Sequence, residues 1–280
     1  MRLTVAAPAK VNLWLRVGAP DDAGYHEIDT LLCALKLADT VVIRMRERAL
    51  QPTLETAFAP PLESMPELGP EESNLAVRAA RAFLDRTGIP GAPAIRLVKR
   101  IPVGAGLGGG SSDAGAVLRA LHRLHPGRIE PGELAALGAA LGSDVPFFVR
   151  GHPLARGSGR GDRLKALPAL PVRHVVVAIP SFPVATREAY GWVDEDRGAG
   201  GGGGDGRDGE EPGDAADWAT VADAACNDFE NPVFRRHPEL AALRATLREH
   251  GARPALLAGS GSTVFGVFED RSAAEGAAAA

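Results

Sequence analysis

A cluster of glycines and hydroxyls is the clearest chemical signal in the chain. Five glycines fall within residues 104–110, and Ser111 and Ser112 follow them directly. Without Cβ atoms the backbone can approach a ligand closely. Apolar residues at helical spacing predict a helix that begins near Ser112 or Asp113, and a helix N-terminus favours an anion. The residues therefore predict a phosphate-binding loop, with a flexible glycine linker as the alternative.

Two polar residues, Lys10 and Asn12, occupy one face of a predicted strand. Polar and apolar residues alternate from Lys10 to Val17, which is typical of a half-buried strand. Side chains two residues apart on a strand point the same way, about 7 Å apart. Lys10 is therefore either a functional cation or an ordinary surface lysine.

Three further residues have types that suit catalysis or binding. Asp144 lies between a predicted helix end and the apolar run 145–149, so its carboxylate needs either a partner or a capping role. Tyr25 next to His26 suits a nucleobase, because one ring can stack on the base and the imidazole can bond its edge. The alternative is a turn at Gly24 in which Tyr25 covers the core.

A second glycine and serine cluster lies near the end of the chain. The segment PALLAGSGSTVFGVF predicts a strand, a turn and a strand. The turn is either a plain hairpin or a second anion-binding turn made of backbone N–H groups and hydroxyls. Its residues are Gly259, Ser260, Gly261 and Ser262.

Composition limits the classes of function. The chain has 280 residues, 45% of them hydrophobic, which is enough for two domains. The net charge of −4, without a long basic run, argues against a nucleic-acid or membrane surface. We find no apolar stretch long enough to span a membrane and no signal peptide, so a cytoplasmic protein is expected. Cys33 and Cys226 lie far apart, without metal-like spacing.

The remaining elements must position these residues. A helix is predicted after Asn74, a strand in AIRLVKRIP before the glycine loop, and a second helix that ends at Gly142. The continuous apolar run RHVVVAIP predicts a strand at the centre of its sheet. Residues 51–70 are predicted as a loop. Residues 197–215, rich in glycine and aspartate, are predicted as a disordered or nearly disordered insertion.

The motifs, taken in order, resemble those of the GHMP kinase family. They are AKVNL, GYH, GLGGGSSDA, SDVPFF, NDFENPVF and GSGS. The three-glycine form of the loop, with Tyr25 and His26, is most similar to the members that phosphorylate 4-diphosphocytidyl-2-C-methyl-D-erythritol. The resemblance implies an α+β fold with two domains and the active site between them. Residues 1–155 would form an N-terminal domain like the second domain of ribosomal protein S5. Residues 163–280 would form a ferredoxin-like C-terminal domain, which in relatives usually continues for another helix and strand.

The resemblance also implies the reaction and its residues. The γ-phosphoryl group of ATP would pass to the 2-hydroxyl of the cytidyl substrate, a step toward isoprenoid precursors by the non-mevalonate route. Asp144 would be the catalytic base, and Lys10 would stabilise the attacking oxygen. Another GHMP kinase, of mevalonate or homoserine type, is the alternative. The protein would be a monomer or a weak homodimer with a small-molecule substrate.

Further roles follow from the same resemblance. The ATP site would comprise Pro102, Val103, Gly104, Ala105, Gly106, Leu107, Gly108, Gly109, Gly110, Ser111 and Ser112. The substrate site would comprise Asn12, Tyr25, His26, Tyr190, Gly259, Ser260, Gly261 and Ser262. The motif places Tyr190 as a second aromatic for the cytosine, and a helix core residue is the alternative. No protein ligand for Mg²⁺ is assigned: Ser111 and Ser112 are candidates, and ATP phosphates with water are the alternative.

Overall fold

Two β-sheets with helices packed on them make up the computed structural model, which describes residues 1–22, 24–62, 69–199 and 217–280. The strands are β1 (Arg2–Pro20), β2 (His26–Arg46), β3 (Thr53–Phe58), β4 (Ala92–Lys99), β5 (Leu154–Ser158), β6 (Arg163–Ala166), β7 (His174–Ala178), β8 (Ala255–Leu257) and β9 (Val264–Phe268). The helices are α1 (Leu75–Thr87), α2 (Gly109–Leu124), α3 (Pro131–Leu141), α4 (Val145–Arg150), α5 (Thr186–Ala199), α6 (Trp218–Ala224), α7 (Glu230–Arg236), α8 (Pro238–Glu249) and α9 (Arg271–Ala279). None of the helices within these ranges is both long and apolar enough to cross a bilayer.

The larger sheet is organised around the long antiparallel pair β1 and β2. Its strand order is β3-β4-β2-β5-β6, with β1 paired to β2. The alternating segment from Lys10 to Val17 lies inside β1, which is longer than the alternation alone predicts. The predicted loop 51–70 is partly wrong, because β3 lies within it and pairs in parallel with β4. Strand β3, TLETAF, is short and contains few apolar residues, so its pattern did not predict a strand among the neighbouring prolines.

Helices α1 to α4 cover the larger sheet and carry the apolar core of this half. As predicted, α1 follows Asn74, whose side chain accepts a hydrogen bond from the Ala76 N–H, and ends at Gly88 in the left-handed region. Helix α2 begins at Gly109, earlier than the predicted Ser112 or Asp113. Two glycines thus form its first turn, although glycine has low helix propensity, because the packed core holds the turn in place.

The smaller sheet has the order β7-β9-β8, with helices on it. The prediction that β7 is central is wrong, because β7 lies at the edge and pairs only with β9 among the described strands. The valines of β7 are explained by packing on both of its faces rather than by a central position in the sheet. Val175 and Val177 pack against one apolar cluster while Val176 packs against another, so both faces of this edge strand are covered.

The first three residues of the predicted insertion, 197–199, overlap the C-terminal end of α5. Residues 197–199 belong to that helix, and Arg197 donates hydrogen bonds to the carbonyl oxygens of Val17 and Gly18. The rest of the insertion, from residue 200 onward, lies outside the described residues.

Candidate active site

Lys10, Asn12 and Asp144 meet at the centre of the candidate site. The Lys10 ammonium lies 3.3 Å from Asp144 Oδ2 and donates a 2.8 Å hydrogen bond to Asn12 Oδ1. Lys10 is buried, whereas the Asp144 side chain is 30% exposed. Asp144 precedes α4, but its side chain makes no capping hydrogen bond to that helix. The carboxylate is therefore accessible and paired with a buried cation rather than used as a helix cap.

A buried chain of hydrogen bonds fixes the Lys10 side chain. Asn12 Nδ2 donates to Thr30 Oγ1 at 2.8 Å, and the Thr30 hydroxyl donates to the Trp14 carbonyl oxygen at 2.8 Å. Because each buried polar group has a partner, the network holds one geometry. The strand thus presents the ammonium to Asp144 in a fixed position.

The glycine loop, residues 102–108, lies directly against Lys10. The Lys10 N–H donates to the Leu107 carbonyl oxygen at 3.0 Å. Gly104, Gly106 and Gly108 have φ angles of 72°, 74° and 72°, a region that side chains rarely adopt. A Cβ on Gly108 would lie 3.1 Å from the Lys10 side chain. Both the backbone conformation and the close packing therefore require glycine here.

The loop and the first turn of α2 border a cleft of about 310 Å³, which Asn74, Leu75 and Lys99 also line. The N–H groups of Gly109, Gly110 and Ser111 belong to the first helical turn, where no intrahelical acceptor exists. An anion at this helix end would receive hydrogen bonds and a favourable dipole. The geometry therefore suits the phosphates of a nucleotide.

The two serines after the loop differ in their accessibility. Ser112 is fully buried and its hydroxyl has no hydrogen-bond partner among the described residues, whereas Ser111 is partly exposed and lines the cleft. Within the described ranges, no group of three His, Cys, Asp or Glu side chains could hold a metal ion. A hydroxyl oxygen is a suitable donor for Mg²⁺, so Ser111 fits a metal that arrives with the nucleotide phosphates, whereas the buried Ser112 hydroxyl is not open to the cleft.

A buried ionic cluster beneath the loop was not found by the sequence analysis. Lys99 donates to Asp39, and to Asp113 Oδ2 at 2.6 Å. Asp39 also accepts the N–H groups of Arg100 and Ile101, where the chain enters the loop. The cluster therefore joins β2, β4 and α2 at the base of the cleft. Its only sequence signal is a set of charged residues beside apolar runs.

The ionic cluster changes the protonation of its members. Burial, opposed by the Lys99 charge and assisted by Asp39, raises the pKa of Asp113 to about 7. Burial lowers the pKa of Lys99, but the Asp113 and Asp39 carboxylates outweigh it and the net shift is upward. One lysine shared by two buried carboxyl groups leaves a deficit of positive charge, and this favours a proton on Asp113.

His26 and Tyr190 form a second part of the candidate site. Their ring centroids lie 4.9 Å apart at an interplanar angle of 25°, and the Tyr190 ring also meets Phe229 edge-on. His26 Nδ1 lies 2.9 Å from the Gly18 carbonyl oxygen. Burial and the Asp144 charge both raise the pKa of Tyr190. The Asp144 charge therefore acts on the Tyr190 hydroxyl, whose ring stacks on His26.

Tyr25 does not join this stack. Its ring is 53% exposed and the Arg160 guanidinium lies 3.7 Å from its centroid. The prediction of Tyr25 and Tyr190 as a stacking pair does not match this arrangement, because His26 is the ring that contacts Tyr190. Tyr25 precedes β2, where it points away from its neighbour His26, as consecutive residues in extended chain do.

The glycine and serine turn reaches Lys10 from the smaller sheet. It joins β8 to β9 as an antiparallel hairpin, so the predicted strand, turn and strand are confirmed. A Cβ on Gly259 would lie 3.6 Å from the Lys10 ammonium. Ser260 shares a 2.9 Å hydrogen bond with Thr186, and Ser262 donates to the Phe182 carbonyl oxygen. Gly259 is thus placed at the site, whereas both hydroxyls bond residues 182 and 186, outside the turn, and Gly261 packs on Leu257.

Asn227 holds this turn against the larger sheet. Its amide donates to the carbonyl oxygens of Leu257 and Gly259, each at 2.8 Å. Asn227 also forms a parallel bridge to Leu15, five residues after Lys10 in β1. The motif NDFENPVF, which the sequence analysis gave no individual role, therefore connects the turn to the Lys10 strand.

Comparisons with known proteins agree with this architecture. The family model "GHMP kinases N terminal domain" matches residues 74–152, and "GHMP kinases C terminal" matches residues 210–280. A crystal structure of 4-(cytidine 5'-diphospho)-2C-methyl-D-erythritol kinase has a TM-score of 0.77 and 39% identity, covering 99% of this chain and 94% of that one. A homoserine kinase from Cytophaga hutchinsonii, at 17% identity and a TM-score of 0.65, shares the fold.

Curated relatives give the same family by sequence. The 4-diphosphocytidyl-2-C-methyl-D-erythritol kinase of Anaeromyxobacter sp. (strain K) is 45% identical, over 100% of this chain and 85% of its own length. The enzyme of that name from Symbiobacterium thermophilum is 40% identical, over 97% of this chain and 92% of its own length. The chain therefore belongs to the GHMP kinases and, within them, to the 4-diphosphocytidyl-2-C-methyl-D-erythritol kinase family.

Proposed function

We propose that this protein transfers the γ-phosphoryl group of ATP to the 2-hydroxyl of 4-diphosphocytidyl-2-C-methyl-D-erythritol, in the non-mevalonate route to isoprenoid precursors. The 3.3 Å contact between Lys10 and Asp144, directly beside the glycine loop, is the observation that carries the proposal. A phosphate-binding helix N-terminus next to an accessible carboxylate is the arrangement that phosphoryl transfer to an alcohol requires. The family membership names the cytidyl substrate.

Position and charge supply the catalysis in this proposal. Asp144 accepts the proton of the attacking hydroxyl, and the Lys10 ammonium stabilises the negative charge that develops on the oxygen. Residues 102–112, from the glycine loop into the first turn of α2, hold the nucleotide phosphates through backbone N–H groups. The Ser111 hydroxyl, which lines the cleft, would hold Mg²⁺ together with the nucleotide phosphates, and the ion would offset phosphate charge.

The cytosine is proposed to bind at His26 and Tyr190. A base sandwiched between two rings needs about 3.5 Å on each side, so it does not fit between centroids that lie 4.9 Å apart. The base therefore stacks against the pair from one side. His26 Nε2 lies 3.3 Å from Asp194 Oδ2 and would exchange this partner for the edge of the base. Asn12 and Gly259 border the reacting hydroxyl, and Tyr25 with Arg160 flanks the nucleotide end of the substrate.

Two domains are proposed to form this site, but the expected bounds, residues 1–155 and residues 163–280, need correction. Strands β5 and β6 pair with each other and extend the larger sheet through residue 166, so the first domain ends after β6. The contact of the turn at Gly259 with Lys10 supports a site between them. A small-molecule substrate, a net charge of −4 and a cleft suited to ATP support a cytoplasmic monomer or weak homodimer that works without nucleic acid.

ADP release with magnesium and ATP tests the proposal. We compare 4-diphosphocytidyl-2-C-methyl-D-erythritol with mevalonate, homoserine and galactose at equal concentration. Turnover on the cytidyl compound alone is expected, because only that compound engages His26 and Tyr190. Preferred turnover on mevalonate or homoserine would reject the substrate in favour of another GHMP kinase activity. ATP binding without turnover on any alcohol would reject the kinase reaction and leave a nucleotide-binding protein.

A further inference from the structure

A basic pocket lies at the far end of α2, away from the glycine loop. It has a volume of about 420 Å³ and lies where α2 and α4 end and α3 begins. Three guanidinium groups and two imidazoles line it: Arg119, His122, Arg123, Arg150 and His152. No acidic residue of the described chain lines the pocket. This concentration of positive charge stands out in a chain whose net charge is −4.

Carboxylates do not neutralise these cations. Within residues 1–22, 24–62, 69–199 and 217–280, none of the three lining arginines or the two lining histidines forms a salt bridge. Glu133, in the first turn of α3, pairs with Arg86 instead. The exposed Glu130, which precedes α3, does not line the pocket. The pocket therefore has a surplus of positive charge.

Two lining residues also have buried nitrogens without partners. Arg119 donates to the carbonyl oxygens of Phe148 and Ala6, each at 2.8 Å, but its Nε has no hydrogen-bond partner among the described residues. His122 Nδ1 is likewise buried and unpartnered within that part of the chain. Burial and the nearby Arg123 charge both lower the pKa of Arg119. These two nitrogens are shielded from solvent, so the donors that a ligand in the pocket can reach are those of the exposed Arg123 and Arg150.

The N-terminus of α3 contributes to the same pocket. Pro131, Gly132 and Leu134 line it, and Glu130 at the N-cap supplies no side-chain hydrogen bond to the helix. The free N–H groups and positive dipole end of this 11-residue helix therefore add to the field of the cations.

Helix capping explains only part of the arrangement. His122 and Arg123 lie in the last turn of α2, and Arg150 ends α4, where cations interact favourably with the helix dipole. Favourable interaction with the dipoles of α2 and α4 does not explain why the N-terminus of α3 lies in the same pocket.

We propose that this pocket binds a small anion that carries a phosphate or diphosphate group, at a site separate from the glycine loop. Arg119 lies ten residues after Gly109, which corresponds to about 15 Å along the helix. Leu134 and Val149 give the pocket an apolar wall for an organic part of the ligand. No base or nucleophile other than imidazole lines it, so the ligand is an effector rather than a second substrate. Its contact at Arg150 lies on α4, which begins directly after Asp144.

Calorimetric titration of inorganic pyrophosphate into the full chain tests this site. The titration is run at constant ionic strength, without magnesium and with saturating ADP, so that the glycine loop is occupied. One further pyrophosphate per chain is expected. The double variant Arg123→Gln, Arg150→Gln should raise the Kd at least about tenfold, because each charged contact contributes about 1.5–3 kcal/mol.

A matched control removes the same charge elsewhere. Arg48 and Arg253 are both exposed and lie outside the pocket, so Arg48→Gln, Arg253→Gln should bind pyrophosphate like the wild type. Unfolding temperature and ADP affinity verify that both variants fold. As an independent measurement, pyrophosphate should shift the backbone amide resonances of Gly132 and Leu134 in the ADP-saturated wild type. No uptake by that protein, an unchanged Kd in the pocket variant, an equal loss in the control, or unmoved amide resonances would each overturn the proposal.

Discussion

Lys10 shows how a single side chain acquires a function from its neighbours. A lysine on a strand is ordinarily exposed, but here it is buried and bonded to Asn12 while it faces Asp144. Burial removes water that would otherwise screen the ammonium charge. The interaction with the carboxylate is therefore stronger than that of a surface ion pair, and its geometry is fixed.

Replacement of the proposed base should abolish most of the turnover. Asp144→Asn keeps the shape of the side chain but cannot accept a proton, so kcat should fall by about 10² to 10⁴. ATP binding should be retained, since the glycine loop is unaltered. Steady-state kinetics and calorimetric ATP binding check this. The matched control is Asp162→Asn, an exposed residue, which should keep wild-type kcat. Near-normal kcat in the Asp144 variant would remove it from the role of base.

The cytosine site can be tested independently of the reacting groups. His26→Ala removes a ring that stacks on Tyr190 and can bond a base edge, so the KM for the cytidyl substrate should rise about tenfold. The KM for ATP should change much less. His174→Ala, which removes an exposed histidine outside the site, is the matched control and should keep the wild-type KM for both substrates. An unchanged substrate KM in the His26 variant would place the nucleobase elsewhere.

Among the elements, α2 has two proposed functions, one at each end. Its first turn supplies the N–H groups of the cleft, while its last turn carries cations of the basic pocket. Asp113, near the first turn, is linked through Lys99 to Asp39 on β2. This linkage fixes the helix start relative to the loop, so the phosphate donors are positioned before a ligand arrives.

The same ionic cluster should give stability a measurable pH dependence. The pKa of Asp113 is about 7 in the folded chain and its ordinary value is 3.8. The folded state therefore holds a proton that the unfolded chain releases, so this contribution to stability is full below pH 4 and is lost as pH rises to about 7. The expected loss is on the order of 1–4 kcal/mol.

Asp113→Asn should remove this dependence because an amide does not titrate in that range. Urea unfolding between pH 4.5 and 7.5 should give a flatter dependence of the free energy of unfolding than in the wild type. Asp162→Asn should keep the wild-type slope, since its carboxylate is exposed. Parallel curves for the wild type and the Asp113 variant would contradict the raised pKa.

At the scale of the whole molecule, the site depends on contact between the two sheets. Gly106 of the loop packs so closely on the smaller sheet that a Cβ would lie 2.2 Å from the Ala258 carbonyl oxygen. Gly259 reaches Lys10 from the same hairpin, and Asn227 holds that hairpin in place. The phosphate loop is therefore shaped by residues about 150 positions away in the chain, which are adjacent only in the fold.

Gly106→Ala tests this contact. The added methyl group meets backbone and its φ angle of 74° is unfavourable for alanine, so the free energy of unfolding should fall by about 1–3 kcal/mol and ATP affinity should weaken. Gly191→Ala in α5 is the control, because no atom lies within 4 Å of its added Cβ. It should leave stability unchanged or raise it by up to about 1 kcal/mol. Equal stability of the two variants by urea unfolding would argue against the contact.

Local patterns were sufficient for several parts of the fold and of the candidate site. Alternation predicted the strand that carries Lys10, the Asn74 cap and Gly88 predicted the ends of α1, and the glycine cluster predicted a loop that leads into a helix. These features depend on residues close together in the chain, where periodicity and backbone preference act directly. The resemblance to the GHMP kinases, a family that a relative of 45% identity supports, added the expected roles of individual site residues.

Only the tertiary structure decided which distant residues meet. It paired Lys10 with Asp144, placed His26 rather than Tyr25 on Tyr190, and made β7 an edge strand. It also formed the Lys99 cluster and the basic pocket, whose members show no common pattern in sequence. The physical reason is that burial and charge pairing are properties of packed surfaces. A sequence pattern specifies which face of an element is apolar, but it does not specify which element covers that face.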